Sequence, residues 1–305
     1  MKALEITGLT KFYGDIRGVE NLSLDVDEGE FFGFIGPNGA GKSTTIRALL
    51  GLIKSDLGKA KILGLDHIKD QTEIMKQIGY LPSEVNLYGQ LSGLEFLKYN
   101  ARFYGRVDMN RIQQLADWFE FDLSRPIDAL SFGNRKKIGI IQALLHSPKF
   151  LIMDEPTGGL DPLMQAKFFE LLQEENRKGT TIFFSSHTLS EVQRYCQRVA
   201  VIRQGQILEV SSVDKLRQKQ LKKVRVSLED SNIKTIDTGV FMNELNIKGL
   251  YELKRLQSGA FTFDFDGNYP QLFKLLSEWP VKTFTMEEPA LEEIFMHYYK
   301  KEGEA

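Results

Sequence analysis

The residues best equipped for chemistry lie in a few short stretches. The first is Gly36-Pro37-Asn38-Gly39-Ala40-Gly41-Lys42-Ser43-Thr44, which satisfies the pattern of a P-loop. Glycines permit backbone angles that turn successive N–H groups inward, making a concave nest for phosphate oxygens. A following helix would add its unpaired first amides and the positive end of its dipole. Lys42 supplies a point charge for β- and γ-phosphates, and Ser43 a hydroxyl ligand for Mg²⁺. The alternative is a glycine-rich turn that only joins a strand to a helix, but the pattern is specific and sits in the required strand–loop–helix context. Binding of a nucleoside triphosphate is the expectation.

The second stretch, "FLIMDEP", ends an apolar run on Asp154 and Glu155. Asp154 is placed to hold Mg²⁺, directly or through water, and Glu155 to polarise a water in line with the γ-phosphate. Two acidic residues could instead cap a following helix. A P-loop alone leaves kinases, GTPases, helicases and transport ATPases open.

These groups need a scaffold. Glu30–Ile35, Phe150–Asp154, Thr180–Ser186 and Arg198–Ile202 are apolar runs with almost no polar interruption. Such runs suit a central sheet covered on both faces, so the fold class expected is α/β. Between about Leu91 and Leu145 the pattern turns helical, which marks a helical insertion, placed at about 84–147. The domain limits expected are 1–212 for the α/β domain, 213–223 for a basic linker carrying Arg217, Lys219, Lys222 and Lys223, and 224–305 for a small α+β unit. In that unit Tyr251–Gln257 and Ala260–Asp266 form a hairpin through Ser258-Gly259. Tyr269–Trp279 reads as a helix, Val281–Met286 as a strand and Ala290–Lys301 as a closing helix with Leu291, Ile294, Phe295 and Tyr298 on one face.

Composition narrows the class. A formal net charge of −2 over 305 residues gives no global attraction to nucleic acid or an acidic membrane surface, so no nucleic acid is expected as a partner. The single cysteine, Cys196, excludes an intramolecular disulfide and reads as a small core residue. No uninterrupted apolar segment approaches the ~20 residues that cross a bilayer as a helix, so a cytosolic location is expected. His67, His146 and His297 show no metal-ligand spacing.

With the motifs in order, residues 3 to 210 resemble the ATP-binding-cassette family. "GGLDP", Gly158 to Pro162 and including Asp161, is similar to its D-loop, and Ser185-Ser186-His187 is similar to its switch histidine. Tyr13 stands where the family carries an aromatic that stacks on adenine. The signature Leu-Ser-Gly-Gly-Gln appears as "LSFGN", with Ser131 and Gly133 retained and Phe132 and Asn134 in place of a glycine and a glutamine. The resemblance implies that Ser131 and Gly133 face the nucleotide of a second protomer, that Asp161 belongs to the nucleotide-binding residues, that His187 contacts the γ-phosphate, and that Glu155 is the principal water-activating residue. It further implies ATP and Mg²⁺ as ligands, a homodimer, and a separate transmembrane permease holding the chain at the inner face of the membrane. The docking surface it implies is the start of the helical insertion near Tyr88 and Leu91. The ending "EEPALEEIF" looks like that of ATPase subunits of drug, antibiotic-resistance and polysaccharide-type exporters. Where the family carries a glutamine after "GYLP", this chain has Ser83 and then Glu84. Serine could act only through a bridging water, and Glu84 could substitute if the loop shifts by one residue. The competing readings are a soluble family member in DNA repair or translation, a non-hydrolysing ATP-binding regulator, and, more remotely, a nucleoside kinase.

Overall fold

The chain opens on two long strands, β1 (Lys2–Tyr13) and β2 (Ile16–Asp27), paired antiparallel through a turn at Gly14. In this computed structural model the described residues are 1–105, 107–218, 222–228, 249–256 and 259–287. They fall into two units, Met1–Val213 and Asp214–Ala305.

In the first unit β1 and β2 are followed by β3 (Phe31–Ile35), α1 (Lys42–Leu49), β4 (Leu57–Ile62), β5 (Leu65–Asp66), α2 (Gln71–Gln77) and β6 (Ile78–Leu81). The insertion supplies α3 (Gly93–Ala101), α4 (Met109–Trp118) and α5 (Phe132–Leu144). The unit closes with β7 (Phe150–Asp154), α6 (Pro162–Arg177), β8 (Thr181–Ser186), α7 (Leu189–Tyr195), β9 (Arg198–Arg203) and β10 (Gln206–Ser212). A six-stranded sheet runs β10-β9-β3-β8-β7-β6, parallel except where β10 pairs with β9. Every residue of β3, β7 and β8 is buried, as strands covered on both faces must be.

The two faces divide by strand alternation. Phe32, Phe34, Ile152, Phe183 and Ile202 join α1 and the four-stranded sheet β2-β1-β4-β5 in one core. On the other face Phe31 meets Phe184, and Phe184 meets Phe169 of α6, which stacks on Tyr195 of α7 at 4.0 Å. Each fully buried phenylalanine contributes roughly 2–3 kcal/mol of burial. Two helix starts in the insertion are fixed by sequence. Ser92 and Glu95 make a reciprocal capping box on α3, and Asp108 accepts from the Asn110 amide on α4. Arg111 of α4 reaches across to the buried Glu175 of α6 at 2.8 Å, an ion pair joining the insertion to the α/β body.

After α8 (Val213–Gln218) the second unit comprises β11 (Lys222–Leu228), β12 (Leu250–Arg255), β13 (Phe261–Phe265), α9 (Tyr269–Ser277) and β14 (Val281–Glu287). Its antiparallel sheet runs β12-β13-β11-β14, and Val224, Val226, Phe261, Phe263 and Phe265 pack on Leu272 and Leu276 of α9. The stretch expected as a linker carries the short α8 and the first residues of β11. The expected closing helix, with Leu291, Ile294, Phe295 and Tyr298, lies outside the described residues, as do Ser258 of the hairpin turn and His297.

Candidate functional site

The sheet order makes β3, β8 and β7 neighbours, and their register brings their carboxyl ends level. Ile35 pairs with Ser186, and Asp154 with Ser185. The loop after β3, the Asp154-Glu155 pair at the end of β7 and His187 after β8 therefore open into one crevice, the usual place for a ligand in an open α/β sheet.

The glycines of the loop have separate causes. Gly39 and Gly41 hold positive φ, 78° and 108°, which favours glycine. A Cβ on Gly36 would meet the Ile202 carbonyl oxygen at 2.2 Å, so that position answers to close backbone approach. Gly33, inside β3, is required by packing: a Cβ there would meet Val192 of α7 at 2.6 Å. Among the described residues the amides of Gly41, Lys42, Ser43 and Thr44 find no carbonyl partner, whereas Thr45 N–H donates to the Gly41 carbonyl at 2.9 Å. These are the orphan donors of a helix start, gathered where an anion can take them.

Lys42 is buried, and its Nζ donates to the Gly36 carbonyl at 2.7 Å and the Pro37 carbonyl at 3.2 Å. It also pairs with Glu155 Oε1 at 3.1 Å. Glu155 Oε2 accepts from His187 Nδ1 at 3.0 Å. Glu155 itself has φ +46°, a left-handed conformation costly for a side chain of this kind and characteristic of functional turns. Its amide donates to the Ser185 carbonyl at 3.1 Å. Asp154, 1% exposed, accepts from Ser185 Oγ at 2.7 Å. Burial, helped by the charge of Asp154, pushes the Tyr80 phenol beside it up to about 12.

The remaining expected residues spread around this centre. The Tyr13 ring and the Thr44 methyl both lie 3.0 Å from where a Gly18 Cβ would stand, so Tyr13 adjoins the start of α1 with 46% of its surface exposed. Ser131 caps α5, accepting from the Asn134 amide at 3.4 Å, and Asp161 caps α6, accepting from the Leu163 and Met164 amides at 3.0 Å each. Gly133 and Gly159 are in close approach, and the exposed Phe132 ring lies against Gly159. Ser83 is half-buried and Glu84 exposed. Sequence reasoning missed Ser185 as the partner of Asp154, although "SSH" was in view. It also missed Lys136, 1% exposed, whose Nζ donates to the carbonyls of Pro82, Ser83 and Glu155.

A parallel α/β sheet carrying a phosphate nest, a buried lysine and a carboxylate–imidazole pair at its carboxyl edge defines a P-loop nucleoside triphosphatase. Residues 19–158 match the family model described as ABC transporter. The bacitracin transport ATP-binding protein BcrA of Bacillus licheniformis is 34% identical over 96% of this chain and 96% of its own length. A solved structure of an ATP-binding subunit of an ABC transporter superposes with a TM-score of 0.66 at 32% identity, over 71% of this chain and 92% of that one. The dimeric post-hydrolysis state of the cassette MJ0796, bound to ADP and Pi, gives a TM-score of 0.64 at 25% identity over 69% and 98%. The chain belongs to the ABC transporter family and is one of its ATP-binding, ATP-hydrolysing subunits.

Proposed function

We propose that this chain powers export of a drug or antibiotic through a separate membrane permease, working as a homodimer that closes on two ATP molecules. The observation that carries the reading is the junction at Glu155, whose carboxylate is shared between Lys42 and His187. In ATP hydrolysis the amides of residues 41–44 and the Lys42 ammonium hold the β- and γ-phosphates, Tyr13 stacks on adenine, and Glu155 accepts a proton from the attacking water. His187 orients that carboxylate and contacts the γ-phosphate. Ser43 and Asp154 offer the all-oxygen donors that suit Mg²⁺, which would neutralise charge on the phosphate oxygens. Ser131, Gly133 and Asp161 serve the nucleotide of the second protomer, where the amides at the start of α5 meet its γ-phosphate.

The permease reading draws support from similarity to BcrA and from the surface of the insertion. Tyr88, Tyr99 and Phe103 are exposed and contact edge to face, Tyr88 with Tyr99 at 6.3 Å and Tyr99 with Phe103 at 5.4 Å. An exposed aromatic cluster of this kind suits a protein partner. No helix among the described residues is long and apolar enough to cross a membrane, so the inner-face location proposed here depends on the permease. The domain limits proposed are 1–212, 213–223 and 224–305. Capture of tagged Glu155→Gln protein with ATP and Mg²⁺ from detergent-solubilised cells is the test. A stoichiometric multi-span membrane protein is the expected companion; ribosomes, DNA-repair proteins or only soluble partners would overturn the transport reading.

A further inference from the structure

Lys136 occupies the second turn of α5, and its long side chain runs inward to a position only 1% exposed. No carboxylate pairs with it among the described residues. Its ammonium is met instead by backbone oxygens: Ser83 at 2.8 Å, Pro82 at 3.1 Å and, more weakly, Glu155 at 3.5 Å. An ammonium carries three donors, and here they go to two separate segments of backbone, the loop leaving β6 and the peptide of Glu155. That peptide follows a residue held at φ +46°.

A second feature of α5 points the same way. Gly139, three residues on and therefore on the same side of the helix, lets the loop after β6 come close. A Cβ there would meet Val85 at 2.8 Å and Leu81 at 3.0 Å. The lysine and the glycine together clamp residues 81–85 to α5, the helix whose first turn carries Ser131 and Gly133.

We propose that Lys136 is a positioning residue for ATP hydrolysis: it ties the helix that begins at Ser131 to both the loop after β6 and the backbone of Glu155. Any shift of α5 is thereby carried to the Glu155 carboxylate. This rests on Glu155 being the water-activating group. The cost of the arrangement is visible in the ammonium, which burial draws down to about 8 while the charges of Asp154 and Glu155 act in the opposite sense. A cation kept in so unfavourable a place, with only carbonyls for partners, is poor evidence of a stabilising device.

The test is steady-state ATP hydrolysis and equilibrium ATP binding by the full-length chain carrying Lys136→Met, Lys136→Arg, Gly139→Ala or Glu155→Gln. Lys136→Met is expected to lower kcat on the order of tenfold to a hundredfold, the range caused by misplacing a reacting group by about 1 Å. Its ATP affinity should change less than about threefold. Lys136→Arg, which keeps the charge and a donor fork, should recover part of the loss. Gly139→Ala, which pushes the loop away and leaves Lys136 in place, should lower kcat with unchanged affinity. If Lys136→Met does not fold, Gly139→Ala and Lys136→Arg decide by the same split. Unchanged kcat in both Lys136→Met and Gly139→Ala, with Glu155→Gln inactive, would overturn the inference and leave the proposed chemistry standing. Retained activity in Glu155→Gln would overturn both.

Discussion

Glu155→Gln should move nucleotide binding and hydrolysis in opposite directions. All three donors of the Lys42 ammonium are engaged, by the Gly36 carbonyl, the Pro37 carbonyl and Glu155 Oε1. A γ-phosphate that takes up Lys42 must displace one of them, and the anionic carboxylate is the partner a phosphate replaces in kind. Exposed ion pairs are worth up to ~1 kcal/mol, and breaking buried ones costs ~3–5 kcal/mol. With Lys42 buried and Glu155 28% exposed, this pair falls between those limits, at about 1–2 kcal/mol. The glutamine amide still accepts a hydrogen bond, so about half of that, ~0.5–1 kcal/mol, is relieved and ATP should bind about two- to fivefold tighter. Loss of the base should lower kcat by about 10² to 10⁴. Calorimetric ATP binding and phosphate release, both on the full-length chain, separate the two effects. Weaker binding by the variant would refute the idea that Lys42 must be released from Glu155. A kcat within threefold of wild type would refute the base assignment.

The glycines of the phosphate loop should split by cause: Gly39→Ala, strained but with open space around it, should cost ~1–2 kcal/mol of stability and leave ATP binding detectable, whereas Gly36→Ala, driven into the Ile202 carbonyl, should abolish binding. Nucleotide titration of the two variants, with thermal melts, checks this. His146 stacks on Tyr104 at 3.8 Å with Nε2 on the Ile78 carbonyl, and burial holds its imidazole down at about 4, the carbonyl offsetting only part. Its contribution is complete above the usual 6.5 and is lost as pH falls from there towards 4. About 2 kcal/mol should disappear between pH 7 and 5, a loss that His146→Gln removes in urea unfolding. Arg111→Leu strips the buried Glu175 of its half-buried partner and leaves it only Lys178, so it should cost on the order of 3 kcal/mol, most of it recovered in Arg111→Leu/Glu175→Leu.

What was legible in the sequence was whatever local chemistry dictates. Continuous apolar runs marked β3, β7 and β8, and the phosphate loop announced its own strand–loop–helix setting. The antiparallel sheet of β1, β2 and β4 was not foreseen, because the register of β1 on β2 shifts between Ile6 and Leu9 and again before Lys11, which breaks the period-two pattern. The apolar run Glu30–Ile35 gave no reason for a glycine at position 33; the reason is packing, visible only once α7 lies across β3. Lys136 stands between Arg135 and Lys137 with nothing in the sequence to set it apart, since a buried lysine is recognisable only by the carbonyls brought to it from sequence positions 82, 83 and 155.

Glu155 is held from several directions by elements far apart in the chain. Its amide goes to β8, its carbonyl to α5, and its two carboxylate oxygens to the phosphate loop and to His187. A left-handed residue costs about 1–3 kcal/mol and persists only where its surroundings over-determine it. No one of these contacts suffices for that, since the His187 contact lies on a half-exposed ring and the Lys136 contact is long. The consequence is directional. When a phosphate takes Lys42, the carboxylate keeps only His187, and the residue as a whole keeps three holds, which come from β8, the residue after it, and α5. The glutamate's remaining geometry is then set by the sheet and by the helix that starts at Ser131. If that helix start answers to a second protomer's nucleotide, the backbone of Glu155 is where the state of one site would reach the chemistry of the other.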